Sequence, residues 1–122
     1  MKKFDLHERL IDFAVQIINV TDNVKVTKAG SHLSGQLVRS GTAPSLNYSE
    51  AQNAESRNDF IHKMSIVLKE LRETHSNLKI IFRAKLYLGQ EFDVTSTIKE
   101  NDELIAIFVK SIETSRSKIN KK

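Results

Sequence analysis

Four basic residues in the second half of the chain are spaced so that their side chains could act together in binding an anion. Lys69, Arg72, Lys79 and Arg83 follow one another at intervals of three, seven and four positions. On an α-helix these intervals place side chains along one face. Such a row of cations can follow a phosphate backbone, so it is a candidate nucleic-acid contact. The alternative is an ordinary solvated helix flank, because Ser76 interrupts the row and no aromatic residue is interleaved for stacking on bases.

Residues suited to catalysis or metal binding do not form a recognisable site. A dinuclear carboxylate centre in a helical protein needs two Glu-x-x-His pairs, and the nearest match here is Asp59 with His62. Among the four histidines only His75 falls on a predicted core face, where a boundary imidazole with one hydrogen bond is favoured over a catalytic role. Cysteine is absent, and neither a Gly-x-Ser-x-Gly elbow nor a glycine-rich phosphate loop occurs. We therefore predict a non-enzyme with no metal, cofactor or small-molecule substrate.

Two isoleucines could instead mark a contact between subunits. Ile66 and Ile80 project roughly opposite the predicted core face of the same helix that carries the cations. Single exposed isoleucines are common on protein surfaces and need no explanation. A pair on one face fits an oligomer interface as well as it fits scattered exposure, so both interpretations stay open.

The elements that position these residues are predicted to be helices. A chain of 122 residues with 4 Gly and 1 Pro has few turn residues for an all-β fold. Apolar residues recur at intervals of three and four in successive segments, as in amphipathic helices. We predict a single all-α domain over residues 1–122, an antiparallel up-down-up-down four-helix bundle. The predicted helices cover about 5–20, 28–53, 57–88 and 95–118.

Capping residues define most of the predicted helix ends. Asp5 and Ser56 each precede an apolar stretch and can accept hydrogen bonds from the first turn. Thr97, with a glutamate three residues later, predicts a third capping box at the start of helix 4. Gly89 is the expected stop for helix 3.

Helix 2 contains Pro44, which cannot donate a backbone hydrogen bond and clashes with the preceding turn. We expect one helix kinked at Pro44. The alternative is two shorter helices with a break at 41–45.

Charge is unevenly distributed along the chain. Residues 1–61 are neutral overall, and residues 62–122 carry the whole formal charge of +4. Much of this charge comes from a predicted basic C-terminal tail over 116–122, which is weaker evidence for nucleic acid than a basic face. Charged residues after Met1 exclude a signal peptide, and no apolar run is long enough to span a membrane. The expected location is the cytoplasm.

Short motifs in the middle of the chain resemble the bacterial four helix bundle protein family, also known as proteins of 23S ribosomal RNA intervening sequences. The motifs are Gln36 to Thr42, Asn47, Ser49 to Ala51, Asp59 to Met64, Leu68 to Glu70 and Arg72 to Thr74. The resemblance implies a four-helix protomer that assembles into a ring-like homopentamer. It also implies a mostly unassigned role, although a related branch assists retroelement reverse transcriptases and binds nucleic acid.

Two segments depart from the family pattern. Ala43-Pro44-Ser45 stands where members often have an apolar residue and glycine, and Ser76-Asn77 stands where they often have an aromatic pair. The second change puts a shared surface contact around Ser76 in doubt. The leading hypothesis is a homo-oligomeric scaffold or binding module whose partner is RNA, DNA or a nucleic-acid enzyme. The alternative is a purely structural or protein-partner module that binds no nucleic acid.

Overall fold

A computed structural model describes residues 5–120 as an all-α fold of four helices. The helices are α1 (Leu6–Thr21), α2 (Lys28–Gln52), α3 (Arg57–Arg83) and α4 (Glu91–Asn120). Lys121 and Lys122, the last residues of the predicted basic tail, lie outside the described residues. The rest of that predicted tail belongs to α4, which continues to Asn120.

The first three helices begin at side chains that accept a hydrogen bond from the first turn. Asp5 accepts from the backbone N–H of Glu8 at 3.1 Å, and Ser56 accepts from that of Asp59 at 3.0 Å. Thr27 plays the same part for α2. Each cap gives a partner to one of the amide groups that the helix itself leaves free. The predicted caps Asp5 and Ser56 are therefore confirmed.

Helix α4 begins earlier than the sequence pattern predicts, and the expected cap at Thr97 is wrong. The helix starts at Glu91, with Glu91 and Asp93 in the first turn, where their charges favour the positive end of the helix dipole. Thr97 lies inside the helix and is fully buried. Its hydroxyl donates to the carbonyl of Asp93 at 2.7 Å, a bond that threonine forms within helices.

Helix α3 ends before the predicted stop at Gly89, because the chain reverses at Lys85. Lys85 adopts a left-handed backbone with φ of 56°. The N–H of Leu86 donates to the carbonyl of Ile81 at 3.0 Å, and that of Lys85 donates to Phe82 at 3.2 Å. These two bonds form a Schellman motif, in which the left-handed position is usually glycine. Leu86 still packs against the core, which explains why the apolar pattern continues beyond the helix end.

Helix α2 passes through Pro44 without a break, so the two-helix alternative is wrong. Pro44 is buried and lies well inside the continuous helix. Proline removes the hydrogen bond that would reach the carbonyl of Ser40, one turn earlier. Nearby hydroxyls bond to other carbonyls of this segment: Ser45 Oγ donates to Thr42 O at 3.0 Å.

The four helices pack in chain order around one core. Helix α1 contacts α2, α2 contacts α3, α3 contacts α4, and the interface between α4 and α1 is the smallest. Arg9 connects α1 to α4 through Glu100 at 2.7 Å and Glu103 at 3.0 Å, and these hydrogen bonds raise the pKa of the guanidinium. The largest fully buried side chains are Phe13, Phe108, Leu10, Ile17, Leu37, Met64, Leu71, Leu78, Ile81 and Leu104.

The connection between α1 and α2 lies beside the connection between α3 and α4. The N–H of Lys25 donates to the carbonyl of Leu86 at 2.7 Å, and the N–H of Leu88 donates to that of Asn23 at 2.8 Å. These bonds form an isolated antiparallel bridge between Val24 and Tyr87. The bridge holds the end of α3 in place and is the long-range contact that stops the helix short of Gly89.

Buried polar groups connect α3 to both of its neighbours. The hydroxyls of Thr74 and Ser40 form a hydrogen bond of 2.8 Å between α3 and α2. Asn101 of α4 donates to the carbonyl of Leu71 at 3.2 Å, and both interactions lie within the protein interior. Because an unpaired buried polar group is costly, these pairs favour one register of the helices over others.

Candidate nucleic-acid interface

The four predicted cations form an exposed row on the outer surface of α3. Lys69, Arg72, Lys79 and Arg83 are all exposed. None of them forms an ion pair with another of residues 5–120. We call these four residues the basic stripe. Its charges are therefore available to a ligand, which is the first requirement of a phosphate contact.

Half of the basic stripe borders a groove between α3 and α4. The groove has a volume of about 650 Å³. Lys69 and Arg72 line it from α3 and Arg116 lines it from α4, whereas Lys79 and Arg83 lie outside it, farther along α3. Sequence reasoning placed Arg116 in the basic tail and missed this arrangement. The signal was its position four residues after Ile112, which places both on one face of a helix that continues past residue 118.

Two glutamates, Glu73 and Glu113, also line the groove. Arg39 of α2 compensates the first of them, because its Nη2 lies 2.7 Å from Glu73 Oε2 and its Nη1 lies 2.9 Å from Glu70 Oε2. The hydrogen bond from Arg39 holds the pKa of the Glu73 carboxyl below its usual range. Because Arg39 also pairs with Glu70, its single charge does not cancel both Glu70 and Glu73. The groove lining therefore keeps a net charge of +1, from Lys69, Arg72 and Arg116 against Glu73 and Glu113.

The floor of the groove is aliphatic, formed by Leu68, Val109 and Ile112. Among residues 5–120 no aromatic side chain lines it, so this part of the chain does not offer it a flat surface on which unpaired bases stack. The chemistry of the groove suits the charge of a phosphate backbone rather than the identity of a base.

The isoleucines predicted as an interface are partly exposed on the same helix. Ile66 is 39% exposed and Ile80 is 49% exposed. Sequence reasoning overlooked a second set of exposed apolar residues on α1, where Ile11, Val15 and Ile18 are 37%, 52% and 42% exposed. Their intervals of four and three were visible in the sequence, but α1 is apolar on so many sides that its core face could not be separated from an outer one.

Two of the residues considered for catalysis or metal binding, His75 and Asp59, have structural partners. His75 is half-buried, and its Nε2 lies 2.7 Å from Asp102 Oδ1, which confirms a boundary imidazole that connects α3 to α4. Asp59 contacts Lys63 at 3.0 Å and the N–H of Glu55 at 3.1 Å, and these bonds lower the pKa of its carboxyl. Within the described range, no three His, Cys, Asp or Glu side chains are grouped so that they could hold a metal ion.

Together these features define an all-α, four-helix protein with charged and apolar outer surfaces. Over residues 5–120, no helix has the length and apolar character needed to cross a membrane. The chain belongs to the 23S rRNA-intervening sequence protein family, whose family model matches residues 2–110. This membership confirms the resemblance found in its central motifs.

One solved structure supports the same family and fold. It is the crystal structure, at 1.70 Å resolution, of a protein with unknown function from the S23 ribosomal protein family of Bacteroides thetaiotaomicron VPI-5482. The two chains are 30% identical and superpose with a TM-score of 0.79, covering 88% of this chain and 98% of that one. No curated protein matches the sequence.

Proposed function

We propose that this protein is a non-enzymatic, homo-oligomeric helical scaffold that binds nucleic acid through the basic stripe in the cytoplasm. The observation that carries the proposal is the row of four exposed cations without ion-pair partners in the described part of the chain. Arg116 adds a further positive charge across the groove. RNA is the first nucleic acid to test, because the family description refers to 23S rRNA.

The protomer of this scaffold is an antiparallel up-down-up-down bundle. The short connections between successive helices support this topology, because neighbours joined by a few residues must reverse direction to pack side by side. Hydrogen bonds near the middle of the helices join these neighbours: Thr74 of α3 bonds to Ser40 of α2, and Asn101 of α4 bonds to Leu71 of α3. The side-by-side connections at Val24 and Tyr87 place the end of α1 near the end of α3. The assembly we propose for this protomer is a homopentameric ring.

If the basic stripe binds phosphates, the affinity for nucleic acid should fall with salt concentration by a predictable amount. Each phosphate that a Lys or Arg neutralises on duplex DNA contributes a slope of about −0.9 to the dependence of log affinity on log salt, and about −0.7 on a single strand. Four stripe cations therefore imply a slope of roughly −3 per protomer on a single strand. Binding that is steep in salt and tolerant of base sequence is the expected behaviour.

Fluorescence anisotropy with a labelled single-stranded RNA, measured over a range of salt concentrations, tests this function. Arg72→Glu combined with Lys79→Glu should weaken binding strongly and flatten the salt slope. The matched control is Lys28→Glu combined with Lys99→Glu, which makes the same change of charge at exposed lysines outside α3. Absence of binding at low salt, or an equal loss in the control, would contradict the proposal.

The second candidate is a protein-partner or purely structural module that uses Ile66 and Ile80. The partial exposure of both side chains favours it. Ile80→Asp should then disrupt assembly, measured by size-exclusion chromatography with light scattering, while circular dichroism shows unchanged helicity. A wild-type protein that is monomeric at micromolar concentration would rule out the homo-oligomer in both candidates.

A further inference from the structure

We propose that copies of this chain associate head to tail, with the outer face of α1 of one copy against the outer face of α3 of the next. The proposal rests on the homo-oligomer proposed above and names the two surfaces that form it. The α1 face consists of Ile11, Val15 and Ile18 with an acidic rim. The α3 face consists of Ile66 and Ile80 with a basic rim.

The α1 face has an apolar centre that the protomer leaves uncovered. Ile11, Val15 and Ile18 lie at intervals of four and three, so they form one row along the helix. Each remains between one third and about half exposed. Val38 of α2 is 38% exposed and lies one turn before Gly41, the point where α2 touches Ile17 of α1. Val38 is therefore a further exposed apolar side chain near the α1–α2 contact.

The rim of the α1 face is acidic. Glu8, Asp12 and Asp22 are exposed, and none forms an ion pair with another of residues 5–120. Asp22 caps the C-terminal end of α1, where the helix dipole is negative and no basic residue occupies the last turn. A carboxylate is unfavourable there, so a cation brought by another molecule stabilises it.

The α3 face has the complementary composition. Lys69 follows Ile66 by three residues and Arg83 follows Ile80 by three residues, so each cation lies next to one isoleucine on the helix surface. Glu73 lies between the isoleucines and is paired at 2.7 Å with Arg39, which it shares with Glu70. Arg72 and Lys79 lie farther round the helix towards α4. With Lys69 and Arg83 in the contact, these two cations and Arg116 remain for nucleic acid, so the expected salt slope on a single strand becomes roughly −2 per protomer.

The charges on the two faces also match in spacing. Glu8 and Asp22 are fourteen residues apart on α1 and its cap, and Lys69 and Arg83 are fourteen residues apart on α3. At about 1.5 Å per residue, each pair spans roughly 21 Å. Both acidic groups can therefore face both cations when the two helices lie alongside each other.

The same charges exclude symmetric pairings. Two α1 faces together would place carboxylates against carboxylates, and two α3 faces together would place cations against cations. Helices α1 and α3 do not contact each other, and each packs on both α2 and α4, so their outer faces point in different directions. A contact between two different faces is heterologous and closes into a ring when the rotation permits.

Charge reversal tests this contact in the full-length chain. One variant carries Glu8→Lys with Asp22→Lys, and the other carries Lys69→Glu with Arg83→Glu. Each variant alone places like charges at the contact and should weaken association by a factor of about 100 or more. Combining all four changes in one chain should restore association, because every α1 face then again meets an opposite charge on the next copy's α3 face, whatever the number of copies in the ring. Multi-angle light scattering measures both results, and circular dichroism confirms that each variant is folded.

The possible results separate this contact from the proposed oligomer itself. A wild-type monomer overturns both proposals. A wild-type oligomer with either reversal variant assembling normally, or with no rescue in the variant that combines all four changes, overturns the head-to-tail contact alone. If a reversal variant loses helicity, the single changes Val15→Asp and Ile80→Asp replace it, and each must weaken association for the proposal to stand.

Discussion

The close approach of α1 and α2 at Gly41 leads to a prediction that opposes ordinary helix propensity. A Cβ atom at Gly41 would lie 2.7 Å from both Cγ1 and Cγ2 of Ile17, and 3.1 Å from its Cβ. These atoms lie next to the Ile17 backbone, so rotation of a flexible chain end cannot move them aside. Ile17 is itself fully buried. Gly41→Ala should therefore force α1 and α2 apart.

The expected magnitude follows from two opposing contributions. Replacing glycine by alanine inside a helix normally stabilises it by about 1 kcal/mol. Overpacking of a buried contact costs about 1–3 kcal/mol. Gly41→Ala should therefore lower the free energy of unfolding by about 1 kcal/mol, and the melting temperature by about 4 °C. Gly35→Ala is the matched control in the same helix, because nothing lies within 4 Å of its new Cβ and the position is exposed. It should raise stability by about 1 kcal/mol.

Urea unfolding followed by circular dichroism, at one protein concentration, measures both changes. The same substitution in an Ile17→Ala background provides a second test. Ile17→Ala removes both γ carbons with which the new Cβ at position 41 would clash. In that background Gly41→Ala should stabilise the protein instead of destabilising it. The packing explanation is refuted if Gly41→Ala stabilises the wild type as much as Gly35→Ala does, or if its effect is the same in both backgrounds.

Two further predictions concern the end of α3. Lys85→Gly should raise the free energy of unfolding by about 0.5–1 kcal/mol, because glycine adopts the left-handed φ of 56° without steric cost; an unchanged urea midpoint would contradict this. Burial and a 2.8 Å hydrogen bond to Asp93 raise the pKa of Tyr87 from its ordinary value of 10.0 to about 12. The unfolded chain therefore loses this proton first, and stability should fall as pH rises from 10.0 towards 12. Ultraviolet titration of tyrosinate should show a lower Tyr87 pKa in Asp93→Asn, and an unchanged value would refute the role of Asp93.

Features that depend on local chemistry could be predicted from the sequence. The caps Asp5 and Ser56 act on amides only three residues away, so the residue types and spacing suffice to identify them. The exposed position of the basic stripe follows from helical periodicity, which shows which residues share a face. The number of helices and the family membership were predictable for similar reasons.

Other features depend on residues far apart in the chain. Helix α3 stops at Arg83 because residues after it pair with the segment at Val24, a contact that no local pattern encodes. Helix α4 starts at Glu91 although Thr97 resembles a cap, because packing buries Thr97 inside the helix. Tertiary contacts outweigh the small preferences of single capping residues. They therefore set the end of α3 and the start of α4.

The spacing of apolar and charged residues suffices to predict four amphipathic helices with cations along one of them, because periodicity is a property of neighbouring residues. Two features depend instead on how the helices pack. Arg116 faces Lys69 and Arg72 across a groove, and Ile11, Val15 and Ile18 stay exposed. Periodicity identifies the faces of a helix without showing which neighbour covers each face. Which neighbour covers a face depends on how all four helices pack around one core. The faces that this packing leaves exposed are the surface available for binding.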